Sequence, residues 1–251
     1  MSSNKQEYIE YHPPSDLKQY LYCYWSYQTE LQKDSVKNKA IIPDGCIDII
    51  FDLNIPTQSQ CFIVGAMTKP IKSNKNNLFG VRLKPGMASS FQKMPINILT
   101  DQLVDISKIN GRKTSIIAEK LVNATDYQKQ TRIISNVLKR VFPSKPIIEE
   151  ETQTAIDIIQ NSGGTINIHQ VAEKVAWSRQ HLSRKFIQHT GLTPKFFASV
   201  VRVRNFIQKY KTGSSGFAEI AQECGYYDQS HMISEFKCMT GMTPQAYLKK
   251  P

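Results

Sequence analysis

Two sets of side chains in the C-terminal part of the chain have residue types that can recognise the edges of nucleic-acid bases. Arginine can donate two hydrogen bonds to guanine in the major groove, glutamine can pair similarly with adenine, and isoleucine can contact the methyl group of thymine. The first set is Arg179, Gln180, Ser183 and Arg184, and the second is Gln229, Ser230, Ile233 and Ser234. Either set alone fits a solvated helix face, so its meaning depends on the elements that carry it.

The two sets lie in a sequence pattern that is written twice between Ile166 and Tyr247. The segment from Phe186 to Pro194 recurs from Phe236 to Pro244, with Phe, Thr, Gly, Thr and Pro at one fixed offset. Further upstream, Val171-Ala172 corresponds to Ile220-Ala221 with a spacing that differs by one residue, which indicates an insertion in the turn of the second copy. A repeat that keeps its helix punctuation and apolar positions indicates a duplicated supersecondary unit.

Each copy has the layout of a helix-turn-helix: a short amphipathic helix, a tight turn and a capped second helix. Ser178 and Asp228 are good N-cap residues for the second helices, and the small Ala172 and Ala221 allow the paired helices to approach. The apolar residues spaced to bury one face of the second helices are Leu182, Phe186, Met232 and Phe236. The opposite faces carry the two polar sets in the same register, which predicts that both second helices contact DNA in the major groove.

Caps, prolines and periodicity predict that the chain is entirely helical from about residue 147 onward. The predicted helices cover residues 149–160, 168–175, 179–189, 194–211, 217–223 and 229–239, and Thr243-Pro244 begins a last short helix.

At this point the sequence resembles the AraC/XylS family of bacterial transcription regulators over roughly residues 148–248. The segments that resemble the family's C-terminal signature are Asp228-Gln229-Ser230-His231-Met232, Phe236 and the run from Gly241 to Tyr247. The resemblance implies two helix-turn-helix units joined by a linker helix from Pro194 to Tyr210. It also implies that the recognition helices enter successive major grooves, about 34 Å apart, and that Val200, Val203 and Phe206 pack both units onto the linker helix.

The second unit departs from the family pattern at one position. Many relatives have Arg or Lys where this chain has Ser234, followed here by Glu235. We therefore expect weaker phosphate attraction from the second unit and a larger contribution to affinity from the first, which carries Arg179, Arg184 and Lys185.

The N-terminal part is expected to fold separately. Short β-branched and aromatic runs between turns, up to about residue 105, predict a small β-barrel or sandwich. Two amphipathic helices follow between residues 103 and 141. The apolar stripe of the second helix consists of Ile133, Ile134, Val137, Leu138 and Val141, and it fits either the core of its own domain or a dimer seam. The expected class is α+β, with a regulatory domain at 1–142, a linker at 143–147 and a DNA-binding domain at 148–251.

Residues 42–51, 64–70 and 80–86 also resemble a region that accompanies this DNA-binding domain in a subset of the family, without any assigned chemistry. Arg82 beside Asp44 or Asp48 suits a site for a small charged effector. The alternative is a structural turn in which Arg82 is paired internally.

Composition limits the classes of function. Five cysteines without C-x-x-C spacing argue against a disulfide framework or a zinc site, and the N-terminal half contains only His12, so no metal or other cofactor is expected. No phosphate-binding glycine loop or nucleophile elbow is present, which argues against an enzyme. The apolar runs are too short to span a bilayer and the first residues lack the core of a signal peptide, so we expect a cytoplasmic protein.

Net charge does not single out the repeat, although the whole chain is basic, with a net charge of +11. Residues 148–251 contain 12 Lys/Arg and 9 Asp/Glu, against 20 and 12 in the rest of the chain. The prediction of DNA binding therefore rests on the helices.

The sequence predicts a sequence-specific transcription regulator, with double-stranded DNA, a small-molecule effector, a second copy of the chain and RNA polymerase as partners. The alternatives are a ligand-independent architectural DNA-binding protein and an N-terminal enzyme fused to a DNA-binding domain.

Overall fold

The N-terminal region is built on an antiparallel sheet. The computed structural model describes residues 6–29, 39–54, 61–73, 75–90, 95–106, 112–124, 126–213 and 216–248. The strands are β1 (Gln6–Tyr11), β2 (Leu21–Thr29), β3 (Lys39–Ile41), β4 (Ile47–Asp52), β5 (Cys61–Val64), β6 (Ile71–Ser73), β7 (Asn77–Leu83) and β8 (Leu103–Asp105). Six strands form one sheet in the order β1-β2-β7-β4-β5-β8, and β3 pairs with β6 in a separate ribbon.

The core of this region follows from the aromatic and β-branched runs of the sequence. Tyr20, Tyr24 and Phe79 are fully buried on the sheet, together with Leu21 and Leu83. The strands β2, β4, β5 and β7 lie in the aromatic and β-branched runs of the sequence. The short β6 and β8 have too few residues for a clear pattern. The last strand, β8, ends at Asp105, and the first α-helix begins at Arg112, within the range expected for the two helices.

Two helices, α1 (Arg112–Val122) and α2 (Tyr127–Val141), close one side of the sheet. In α2, Ile134 and Leu138 are buried in the same apolar cluster as the sheet residues, and Ile133 packs against that cluster. The hydroxyls of Tyr24 and Ser135 lie 2.8 Å apart and join β2 to α2. The apolar stripe of α2 therefore packs mainly in the core of its own region, and only Val141, 50% exposed, is largely open to solvent.

The C-terminal region is helical, as the sequence predicts. Its helices are α3 (Glu150–Asn161), α4 (Ile168–Lys174), α5 (Arg179–Thr190), α6 (Pro194–Thr212), α7 (Phe217–Glu223), α8 (Gln229–Thr240) and α9 (Pro244–Leu248). Ser178 and Asp228 cap α5 and α8 through side-chain bonds to the amides of His181 and His231. The agreement is close because caps and prolines act locally. No helix in the described part of the chain is long and apolar enough to cross a membrane.

The long helix α6 joins two apolar clusters. The first contains α3, α4 and α5 and packs on Phe197 and Ala198 of α6. The second contains α7 and α8 and packs on Val200, Val203 and Phe206. The expectation that these three residues hold both units is therefore correct for the second unit only. Phe197 and Ala198 lie a turn nearer the N-terminus of α6, where the first unit docks.

The N-terminal and C-terminal regions pack against each other. The Thr100 hydroxyl donates to the carbonyl of Gly191 at the end of α5, over 2.8 Å. The backbone at Gly45, with φ +74°, lies so close to Phe197 that a Cβ there would be 2.5 Å from the ring. Ala66 belongs to the first helical cluster, and Ile42 packs against the second. The sheet therefore contacts both helix-turn-helix units.

Candidate nucleic-acid interface

The first helix-turn-helix unit consists of α4, a tight turn and α5. Ala176 takes a left-handed conformation in the turn, with φ 55°. Trp177 follows it and packs edge-on against His181, with the ring centres 4.6 Å apart. Leu182 and Phe186 are fully buried. This packing fixes which side of α5 faces solvent.

The first polar set lies mostly on that outer side. Arg179, Gln180 and Arg184 are exposed, whereas Ser183 is half-buried. The guanidinium of Arg184 lies 3.3 Å from Nδ1 of His181, one turn earlier in α5. The residues at the N-terminal half of α5 thus present donors and acceptors to solvent, as a helix that enters a major groove requires.

The second unit repeats this geometry with one additional residue. Gly225, with φ 75°, occupies the position of Ala176 in the first unit. Tyr226 occupies the position of Trp177, and its ring packs against the ring of His231. The added residue is Tyr227, whose side chain is 100% exposed directly before the N-cap of α8. The sequence indicates an insertion but does not single out Tyr227 as part of the interface. The unequal spacing of the two copies is the signal that points to it.

The second polar set is entirely on the surface of α8. Gln229, Ser230, Ile233 and Ser234 are all exposed, and Ile233 is 38% exposed despite its apolar side chain. On the other side of α8, Met232 and Phe236 are fully buried. Both polar sets therefore occupy equivalent faces of their helices, and all their members except the half-buried Ser183 are exposed.

Lys185 and Glu235 occupy equivalent positions in α5 and α8, and neither is free for DNA. Lys185 is half-buried and forms an ion pair with Glu149. Glu235 accepts hydrogen bonds from the hydroxyls of Tyr226, over 2.7 Å, and Ser199. Lys185 and Glu235 are therefore both paired within the chain, which the sequence does not indicate. The difference in charge between the exposed faces rests on Arg179 and Arg184.

The candidate effector residues also lie together, at the end of the sheet that faces α6. Nε of Arg82 is 3.1 Å from Asp44 and 3.3 Å from Asp48, and a third carboxylate, Glu10, lies 3.6 Å from the same guanidinium. The indole of Trp25 donates to Asp48 over 3.0 Å. Burial raises the pKa of Asp48 to about 6, against the lowering influence of Arg82. Arg82 is thus paired internally, yet Asp44 also lies 3.7 Å from Arg204 of α6.

Comparisons with known protein families match both parts of the chain. Residues 171–250 match a helix-turn-helix domain, and residues 9–105 match a domain of unknown function, DUF6597. An uncharacterized HTH-type transcriptional regulator of Haemophilus influenzae is 32% identical over 156 residues, which are 62% of this chain and 52% of that protein. The HTH-type transcriptional activator RhaS of Salmonella arizonae is 31% identical over 75 residues, which are 30% of this chain and 27% of RhaS. The chain thus spans about half or less of the length of these curated relatives.

Comparison with solved structures also finds similar chains. ToxT from Vibrio cholerae is 15% identical, with 98% of this chain and 95% of ToxT covered, at a TM-score of 0.44. The C-terminal domain of AraT, a response regulator from Geobacillus stearothermophilus, is 23% identical, with 42% and 88% covered, at a TM-score of 0.39. Together with the geometry of the two units, the match over residues 171–250 shows that the C-terminal region contains a helix-turn-helix domain of the AraC/XylS type.

Proposed function

We propose that this protein is a sequence-specific DNA-binding transcription regulator in which α5 and α8 read adjacent major grooves on one face of the DNA. The observation that carries the proposal is the pair of exposed polar faces at the same register in two helix-turn-helix units that share the linker helix α6. One rigid helix between two readers sets their spacing, as recognition of successive grooves requires. Residues 148–251 form the DNA-binding domain in this proposal, and residues 143–147 the linker.

Residues 1–142 act as the regulatory domain in this proposal, by binding an effector or by forming a homodimer. Contacts of the sheet with both helical clusters support a regulatory role, because a change in the sheet reaches both DNA-reading units. The protein acts in the cytoplasm without catalysing a reaction, and RNA polymerase is a further partner. Asp44, Asp48 and Arg82 are the effector-site residues that the sequence puts forward.

The test begins with genome-wide mapping of bound DNA, followed by footprinting of one bound site with the purified protein. We expect protection in two neighbouring major grooves about one helical turn apart. Arg179→Ala should remove protection in one groove and Gln229→Ala should weaken it in the other. Gln188→Ala is the control, because Gln188 is exposed on α5 but lies beyond the polar set. A footprint confined to one groove would contradict the bipartite arrangement.

A ligand-independent architectural protein is the second candidate, since it shares the helical region but needs no effector site. The cavity between the sheet and α6 favours a regulator that binds a small molecule. Bound ligand raises the melting temperature of the folded form by mass action. Absence of any such rise across a broad set of metabolites would favour the architectural protein.

A further inference from the structure

One polar face of α6 points towards the N-terminal sheet across a cavity of about 890 Å³. The polar residues of α6 that line it are Arg204, Asn205, Gln208, Lys211 and Thr212, and the apolar Val201 and Ile207 line it as well. The polar residues recur at intervals of three or four residues and so form one stripe of the helix. The buried stripe of α6, with Val200, Val203 and Phe206, packs against the second unit, and Ile207 lies at the border of the two stripes. We call this space the junction cleft; its sheet side is formed by Glu10, Tyr22, Asp44 and Arg82.

The sheet side of the junction cleft carries an excess of carboxylates. Glu10, Asp44 and Asp48 all surround the single guanidinium of Arg82. The side chain of Asp44 is only 6% exposed, so its charge is poorly screened by solvent. A buried carboxylate is stabilised by additional cationic partners. This side of the cleft therefore favours a ligand group that brings a positive charge to Asp44.

The helix side of the cleft has the opposite character. Arg204 is 3.7 Å from Asp44, well beyond the 2.7–2.9 Å typical of a charge-assisted hydrogen bond. Lys211 makes no ion pair within the residues that the structure describes. Two cations on one helix face, with the amides of Asn205 and Gln208 between them, favour an anionic group and hydrogen-bonding atoms in the ligand.

The interior of the sheet offers a different environment. It is filled by large aromatic and aliphatic side chains that are fully buried, among them Tyr20, Tyr24 and Phe79. The junction cleft has the size of a small-molecule site, for which cavities of about 300–1,000 Å³ are typical. Polar groups with opposite charges face each other across it. The space and the chemistry for a polar ligand thus coincide in the cleft.

We propose that the junction cleft binds a small zwitterion that carries an amino group and a carboxylate, as a free amino acid does. Asp44 receives the ammonium group, and Arg204 and Lys211 receive the carboxylate. The ligand takes the place of the long Asp44–Arg204 contact and links the sheet to α6 by two stronger ion pairs. This inference rests on the proposed regulatory function, since α6 carries both DNA-reading units and a ligand held there can change their position relative to the N-terminal region.

The experiment measures ligand binding on the full chain without DNA. Isothermal titration is run with the twenty standard amino acids, β-alanine and γ-aminobutyrate, up to low-millimolar concentration. For the tightest binder, the N-acetyl derivative removes the positive end and the carboxamide removes the negative end. We expect each derivative to bind roughly tenfold or more weakly, because each loses about one charge-assisted ion pair. If no member of the set binds, or if both derivatives bind as well as the parent, the inference is wrong.

Two variants assign the ends of the ligand. Asp44→Asn keeps an oxygen for the hydrogen bond that Asp44 accepts from the amide of Cys46, and it should abolish the preference for the parent over the N-acetyl derivative. Arg204→Gln should abolish the preference for the parent over the carboxamide. Lys209→Gln is the matched control on the same helix, because Lys209 pairs with Glu223 and does not line the cleft. The assignment is wrong if the Lys209 variant loses both preferences. It is also wrong if neither cleft variant loses its preference.

A separate gel-shift assay without amino acids distinguishes this inference from the proposed function. If the protein binds its DNA site but no zwitterion, only the proposal of a ligand in the cleft is wrong. If it binds a zwitterion but has no preferred DNA site, only the proposed regulatory function is wrong.

Discussion

At the scale of single residues, the exposed faces of α5 and α8 differ mainly in charge. Arg184 is exposed on α5, whereas the equivalent position on α8 is occupied by Ser234, which is also exposed. Sequence periodicity predicts these faces correctly, because Leu182, Phe186, Met232 and Phe236 define the buried sides. It does not predict the roles of Lys185 and Glu235. They precede the buried phenylalanines, and Glu149, before α3, and Ser199, of α6, each lie 36 residues from the side chain that they hold.

Arg184→Ala is expected to weaken operator binding more than Ser234→Ala. If Arg184 contacts a phosphate, its loss lowers the slope of log K against log salt by about 0.9. If it contacts a base, the loss costs about 1–3 kcal/mol and relaxes specificity at one base pair. Titration of a labelled operator at several salt concentrations separates the two cases. Equal losses in the Arg184 and Ser234 variants would contradict the unequal contribution of the two units.

Tyr227→Ala is expected to weaken operator binding while leaving the folded protein as stable as before. The side chain is fully exposed beside the N-terminus of α8, where it can lie against the DNA backbone and donate a hydrogen bond worth on the order of 1 kcal/mol. Because the side chain is neutral, the salt slope should not change. Tyr227→Phe separates the hydroxyl from the ring. Unchanged affinity in the alanine variant would exclude Tyr227 from the interface.

At the scale of elements, the helices and their ends follow from local signals, and the contacts between elements do not. The caps at Ser178, Thr193 and Asp228 and the left-handed Gly191 and Gly241 are each determined by a few neighbouring residues. By contrast, the end of α5 docks on the turn after β7, where Nδ1 of His189 lies 3.1 Å from the Ser89 hydroxyl. No local pattern links residues so far apart in the chain.

His189 makes this docking contact sensitive to acid. Its side chain is buried, and desolvation lowers the pKa of the imidazole below its usual value of 6.5. The unfolded chain therefore binds more protons than the folded chain in the window just below 6.5, so stability should rise with pH through that window and fall on acidification. His189→Gln should reduce the difference in melting temperature between pH 5 and pH 7. An unchanged difference in the His189 variant would show that this contact does not set the acid sensitivity.

At the scale of the whole molecule, the sequence predicts two regions and the class of each, but not how they join. The sheet meets both helix-turn-helix units through residues that look ordinary in sequence. Gly45 belongs to a Pro-Asp-Gly turn signal, and nothing in that signal indicates that the turn rests on Phe197 of α6. The same turn provides Asp44 for the junction cleft. The contact between the two regions thus depends on long-range packing, which repeats and periodicity do not encode.

Gly45→Ala is expected to loosen the contact between the sheet and α6. A non-glycine residue at φ +74° costs about 1 kcal/mol, and the added Cβ would lie 2.5 Å from Phe197, a buried ring with little room to move. Overpacking of this kind costs about 1–3 kcal/mol.

Gly241→Ala is a matched control, because Gly241 has φ +72° but its added Cβ would meet Pro70 at an ordinary 3.4 Å. Calorimetry should therefore show a larger loss of stability at Gly45 than at Gly241, with the unfolding of the two regions less cooperative. Equal losses in the two variants would mean that backbone strain alone explains the effect. The contact of Gly45 with Phe197 would then not couple the sheet to the helices.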